Sequence, residues 1–187
     1  MGRIGRGTED KGSILIVTGP AASGKTTAAR QIAEQDLDPS VHLQGDDFFH
    51  ALKVGRLRGW EEGSTPQHQV VFEAIGTSAT AFANGGYFVV LDSLIRPRFL
   101  DVLTDIIRSN NIELHYVVLR PSLSVTQSRS RQRDEAVRHR SEILEELHEA
   151  FLNLGDLESH VIDNTTLDVE QTVDEIRLRM GRGELQI

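Results

Sequence analysis

Cysteine is missing from this 187-residue chain, which excludes disulfides, thiolate metal sites and cysteine nucleophiles together. Long apolar runs are missing too. Stretches such as Ile14-Leu15-Ile16-Val17 are far too short to span a bilayer, and no apolar segment before Ile14 reads as a secretory signal. Aromatic residues are scarce at 5%, with Trp60 the single tryptophan. Positive charge is in deficit: 20 Lys and Arg against 28 Asp and Glu leave a net charge of −8. That balance argues against extended nucleic acid or a membrane surface as partner. With 39% hydrophobic and 26% charged residues, the expectation is a folded cytoplasmic protein with a real core.

The order of patterns along the chain is strand, helix, strand, helix. Residues 1–11 carry glycines and charges without periodicity and predict a flexible tail. Ser13–Val17 is a β-branched apolar run that predicts a strand buried on both faces. A helix is expected from about Gly24 to Gln35, and a turn at Asp38-Pro39-Ser40. Further strands are expected at Val41–Gln44, Tyr87–Leu91, Leu114–Leu119 and His160–Asp163. Helices are expected at about 66–83, around Phe99–Ile107, from about Ser122 to Leu154, and after Asp168, which forms an N-cap pair with Gln171. Five strands separated by helices predict an α/β three-layer sandwich around a five-stranded parallel sheet. No linker divides residues 12–187, so they are expected to form one domain.

Gly19-Pro20-Ala21-Ala22-Ser23-Gly24-Lys25-Thr26 fits G-x-x-x-x-G-K-[ST] without a mismatch. Glycines let the backbone curl so that successive N–H groups converge on phosphate oxygens. The loop opens a helix, whose N-terminus favours an anion. Lys25 is expected to reach the β- and γ-phosphates, and Thr26 to ligate Mg²⁺, with Thr27 completing the nucleotide-contacting run. Lys11, Lys25 and Lys53 are the only lysines among 20 basic residues, which argues against an incidental match. A strand directly before the motif and a helix directly after it give the context the motif requires.

With these residues the chain resembles the P-loop kinases, small phosphotransferases that move the γ-phosphate of ATP onto a compact acceptor. The resemblance runs from about residue 13 to 180. It is closest to the chloramphenicol phosphotransferase-like and zeta-toxin-like ATP-binding proteins, with some similarity to the gluconate kinases. It implies a P-loop NTPase fold, MgATP as phosphoryl donor, and a lid over residues 122–140. Gly45-Asp46-Asp47-Phe48-Phe49-His50 looks like the segment that carries the catalytic aspartate in those families. The likeness places that carboxylate at Asp47, with Asp46 as the adjacent alternative, and Phe48 beside the acceptor. A carboxylate there accepts the proton of an attacking hydroxyl. The competing reading is that the two acids cap the following helix.

Asp92 ends an apolar strand, where a Walker-B-type acid holds Mg²⁺ directly or through water and can also meet the acceptor. The competing reading is a strand-end turn residue. Asp92–Leu100 resembles D-G-x-x-G-P-W-F-L, but Ser93, Arg96 and Arg98 stand where that pattern has small or aromatic residues. Arg96 and Arg98 either receive an anionic substrate or pair with the acidic surface. Trp60 either stacks on a ligand or fills the core.

Six arginines fall between Arg120 and Arg140, a stretch of about +4 in an acidic chain. Arg129 and Arg133 are four residues apart and share a helical face. They are the expected phosphate contacts of a lid, as against a solvated helix face. Arg120 is a weaker candidate, and Asn164 lies in a loop that the resemblance puts beside the adenine. The chain is therefore expected to be an ATP-dependent kinase acting on a hydroxyl of a small molecule, such as an antibiotic-like alcohol, sugar or sugar acid. The alternatives are a nucleotide-binding regulator or NTPase with no small acceptor, and a polynucleotide-end kinase, against which the net charge argues.

Overall fold

The strand Ser13–Thr18 (β1) is the centre of the sheet because its neighbours cover it on both edges and both faces. In this computed structural model, residues 11–35, 39–59, 61–132 and 141–187 are described. Helix α1 (Lys25–Glu34) follows β1. Then come β2 (Ser40–Gln44), α2 (Gly45–Ala51), α3 (Ser64–Asn84) and β3 (Phe88–Asp92). A 3-10 turn at Pro97–Phe99 leads into α4 (Leu100–Ser109), followed by β4 (Glu113–Leu119), α5 (Leu123–Arg131) and α6 (Ser141–Glu149). A second 3-10 segment, Gly155–His160, leads to β5 (Val161–Ile162) and α7 (Val169–Gly181). The spatial order is β2-β3-β1-β4-β5, and every pairing between these strands is parallel.

Side-chain alternation sorts the core into two layers. Ile14 and Ile16 of β1 face α3 and α4 together with Val89, Leu91, Tyr116 and Val118. Leu15 and Val17 face α1 and α7 together with Val90, Val117 and Leu119. Leu103 and Ile107 of α4 are fully buried, each contributing roughly 1.5–3 kcal/mol of apolar burial. At Gly76 a side chain would meet Leu103 and Ile106 at 3.3 Å, so glycine sets how closely α3 approaches α4. Asp168 caps α7 in a complete capping box with Gln171, as its spacing predicts.

Three boundaries differ from the sequence reading. The helix expected from Ser122 to Leu154 is two helices, α5 and α6, and ends at Glu149. Phe151 and Leu154 are buried as the apolar stripe requires, but in irregular chain beyond the helix. The last strand spans only Val161–Ile162, because His160 belongs to the preceding 3-10 segment. Asp92 is itself the final residue of β3. The expected tail lies outside the described residues except for Lys11, as do Asp38 and residues 133–140 of the expected lid.

One pairing has no counterpart in the sequence reading. β5 covers only the upper part of β4. Residues 185–187 run antiparallel along the lower part, where Tyr116 N donates to Leu185 O at 2.8 Å and Ile187 N to Leu114 O at 3.1 Å. Leu185 is fully buried, so the edge of β4 is sealed.

Two histidines predict an acid-sensitive fold. Burial lowers the pKa of His68, with help from Arg98, Arg96 and Arg56, and burial also lowers that of His160. The unfolded chain therefore binds more protons than the folded one in this range. The stability these groups contribute is complete above the ordinary histidine value of 6.5 and is lost as pH falls through their lowered folded values. Urea midpoints should fall between about pH 7.5 and pH 5.5. His68→Phe, which keeps a ring there, should flatten that fall; an unchanged slope would remove His68 as a contributor.

Candidate active site

The phosphate-binding loop is built by close approach. Gly19 has a φ of 136°, and a Cβ there would lie 2.1 Å from Leu119 O, so only glycine lets the chain leave β1 against β4. Gly24, with a φ of 100°, turns the chain into α1. Ala22 between them also sits in the left-handed region, at a φ of 60°, which costs an alanine roughly 1 kcal/mol. Lys25 Nζ donates to Pro20 O at 2.7 Å, folding the side chain back over its own loop.

Thr26 and Asp92 meet beneath this loop. Val17 of β1 is paired with Asp92 of β3, which brings the acid beside the first turn of α1. The Thr26 hydroxyl donates to Asp92 Oδ1 at 2.8 Å, and Asp92 is only 5% exposed. Its other oxygen, Oδ2, lies 2.5 Å from His42 Nε2. A hydroxyl and a carboxylate oxygen are the hard donors that Mg²⁺ takes, with water and phosphate oxygens completing the shell, so the pair fits that cation. Among the described residues no group of three or more His, Cys, Asp or Glu side chains forms a ready metal cage.

Behind the loop, Arg129 of α5 and Asn164 after β5 converge on one carbonyl. Arg129 donates to Ser23 O at 3.2 Å and to Asn164 O at 3.4 Å. Asn164 Nδ2 donates to Ser23 O at 2.9 Å. Burial lowers the pKa of Arg129, but a guanidinium remains charged, so this partly desolvated cation stands beside the phosphate loop. A pocket of about 310 Å³ opens here between Thr27, Arg129, Asn164, Leu167 and Val169. Arg120 is occupied elsewhere: it holds Glu158 through two bonds of 2.9 and 2.8 Å and Phe151 O at 2.7 Å, a brace for the chain before β5.

On the other side of the cleft, Asp46 and Asp47 lie in the first turn of α2, directly past the end of β2. Both are exposed, and neither makes a cap hydrogen bond, the N-cap position being Gln44. The strand order puts them two strands from the phosphate loop, about 10 Å at ordinary spacing. Phe48 is half-buried and packs on the core. Arg96 pairs with Glu146 of α6 at 3.1 Å, and Arg98 stacks over the Phe99 ring at 4.8 Å. Phe49, His68, Phe72 and Phe99 form one aromatic cluster that ties α2, α3 and the turn after β3 together. Trp60 and Arg133 lie outside the described residues.

The structure thus groups Lys25, Thr26, Asp92, Arg129 and the loop Gly19–Gly24 in one place. It sets Asp46, Asp47 and Phe48 two strands away and uses Arg96 to join the turn after β3 to α6. His42 is a contact that sequence reasoning missed. No local spacing marks it; the pairing of β2 with β3 puts it on the same face as Val90 and Asp92. Asn164 was read only as a loop residue near the base, whereas its side chain holds Ser23.

A five-stranded parallel sheet in this order, with a phosphate loop after its central strand, defines the P-loop kinase fold. A family model described as "AAA domain" matches residues 14–157, which is most of the chain. The chain belongs to this AAA-domain family of P-loop proteins. No curated protein sequence matches it. Among solved structures it is similar to a tunicamycin resistance protein from Deinococcus radiodurans, at 18% identity and a TM-score of 0.69 over 91% of this chain and 96% of that one. It is similar to a sugar kinase from Janibacter sp. HTCC2649, at 18% identity and a TM-score of 0.71 over 91% and 95%. It is also similar to a gluconokinase from Sinorhizobium meliloti 1021, at 22% identity and a TM-score of 0.65 over 94% and 94%. At these identities the likeness is one of fold.

Helix α2 depends on a close contact. A Cβ on Gly45 would lie 2.3 Å from Ser93 Oγ and 2.5 Å from Ser93 Cβ. Gly45→Ala should cost about 1–3 kcal/mol in urea unfolding, and Ser93→Gly in the same chain should recover part of it. Additive losses would show that the contact is not what requires glycine.

Proposed function

We propose that the chain is an ATP-dependent phosphotransferase that moves the γ-phosphate of MgATP to a hydroxyl of a small molecule such as a sugar, a sugar acid or an antibiotic-like alcohol. The observation that carries this reading is the division of the sheet's carboxyl end. The Lys25–Thr26–Asp92 group sits at β1 and β3, and a solvent-facing carboxylate pair sits at the end of β2. A pure nucleotide switch has no use for that second set of acids, and an NTPase without an acceptor leaves the Asp46–Asp47 side of the cleft idle.

The loop amides of residues 19–24 and the N-terminus of α1 receive the phosphates. Lys25 exchanges its Pro20 contact for phosphate oxygens. Thr26 and Asp92 hold Mg²⁺, which when bound supplies neutralisation of phosphate charge. Arg129 lines the space beside the nucleotide, where Thr27, Leu167 and Val169 offer a surface for the base, and it works with Arg133 as part of a lid over residues 122–140. Asp47, or its neighbour Asp46, accepts the acceptor's hydroxyl proton. The acceptor oxygen then bonds to the γ-phosphorus as the bond to the bridging oxygen breaks, and ADP leaves. Phe48, Trp60 and Arg96 border the acceptor.

MgATP consumption against aldonic acids, sugars, nucleosides, aminoglycosides and chloramphenicol-like alcohols, with an acceptor-free control, tests the reading. Turnover should depend on an acceptor. Lys25→Ala should abolish ATP use. Asp47→Ala should retain nucleotide binding while transfer falls about 10²–10⁴-fold, the range for a lost general base. If Asp46→Ala has that effect instead, the base is Asp46. Nucleotide hydrolysis indifferent to every acceptor would favour the NTPase alternative.

A further inference from the structure

We infer that His42 is a positioning residue for the divalent cation: it fixes the Asp92 carboxylate from the neighbouring strand so that Oδ1 stays with Thr26. This rests on the nucleotide-binding half of the proposed function. In the parallel pairing of β2 with β3, His42 lies opposite Val90 and Gln44 opposite Asp92. Alternation puts His42, Val90 and Asp92 on the α1 side of the sheet, and Val90 is packed there among α1 side chains. From this position the imidazole reaches up and across to Asp92 Oδ2 at 2.5 Å. The His42 side chain is 14% exposed and that of Asp92 7%, so water competes little for the contact.

A carboxylate has acceptors only, so His42 Nε2 is the donor and carries the ring proton. Asp92 is therefore held at both oxygens, by the Thr26 hydroxyl at 2.8 Å and by His42. A buried carboxylate with one neutral donor is under-solvated and free to rotate. With two donors from α1 and β2 its plane is set. Each oxygen keeps a further lone pair that a cation or its water ligands could use. A carboxylate pinned in this way cannot swing across the cleft to take a proton from an acceptor. Cation binding and base catalysis thus fall to different acids, Asp92 and the Asp46–Asp47 pair. Supporting donors of this kind commonly change metal affinity 10–100-fold when removed.

The test compares nucleotide affinity with and without the metal. A fluorescent ATP analogue is titrated into wild type, His42→Leu and His42→Gln, once in Mg²⁺ and once in EDTA. His42→Leu should match wild type in EDTA to within about twofold, and its Mg²⁺-dependent tightening should fall about tenfold. His42→Gln, which carries an amide N–H at similar reach, should recover most of that tightening. Equal losses in Mg²⁺ and EDTA would mean a structural role only and would overturn the inference, as would no loss in either. Failure of wild type to bind nucleotide at all would overturn the nucleotide reading and the inference with it. A second measurement does not depend on the leucine variant folding. In ¹⁵N-histidine spectra of wild type, His42 should carry its proton on Nε2, with a resonance that moves in Asp92→Asn. A proton on Nδ1 with none on Nε2 would overturn the assignment.

Discussion

The pairing of Val17 with Asp92 is the constraint on which the site depends. A parallel ladder has a period of two, so a slip of one residue would turn Asp92 toward α3 and α4, where a carboxylate has no partner. The register is held by the apolar residues below it. Ile14 and Ile16 must stay with Val89 and Leu91, and Leu15 and Val17 with Val90. The core therefore does more than stabilise the sheet: it decides which acid stands under the phosphate loop. The same ladder carries β2, and with it both His42 beside Asp92 and the helix that begins with Asp46 and Asp47.

The two ends of the site are held differently. The phosphate-loop end is tied by hydrogen bonds: Ser23 O receives both Arg129 and Asn164, Lys25 reaches Pro20, and Thr26 reaches Asp92. The α2 end is held by rings and by one glycine contact, through Phe49, His68, Phe72 and Phe99 and through Gly45 against Ser93. Thr18 joins β1 to the turn after β3, since its hydroxyl accepts from Ile95 N at 3.0 Å. Between α2 and α3 the chain is held along its length by Gln67, which accepts from Leu57 N and donates to Gly55 O, each at 2.8 Å.

Most of the architecture was legible in the sequence because it is written in short-range patterns. The five strands were apolar runs, the phosphate loop was a complete motif, and the Asp168–Gln171 pair announced the last helix. What was not legible depends on contacts between distant residues. His42 acquires a role only when β2 lies beside β3, and no spacing within residues 41–44 shows that. Arg96 finds a partner in Glu146, fifty residues on, which no local pattern shows. The helical stripe that runs to Leu154 was a true statement about burial and a false one about conformation. Phe151 and Leu154 are buried by the 3-10 segment and by the brace from Arg120 to Glu158, so an apolar period alone does not mark where a helix stops.

The sealing of β4 by residues 185–187 bears on the order in which the protein can be made. Leu114 and Ile187 are joined by a hydrogen bond of 3.1 Å across most of the second half of the chain. Synthesis proceeds from the amino end, so β1, β3 and β4 emerge from the ribosome long before their covering strand does. Until translation has passed residue 187, the lower flank of β4 has bare amides and carbonyls, and loop closure of that length is slow to find. The nascent chain thus carries an open sheet edge, the kind of surface that recruits holding factors or strays into contact with another chain.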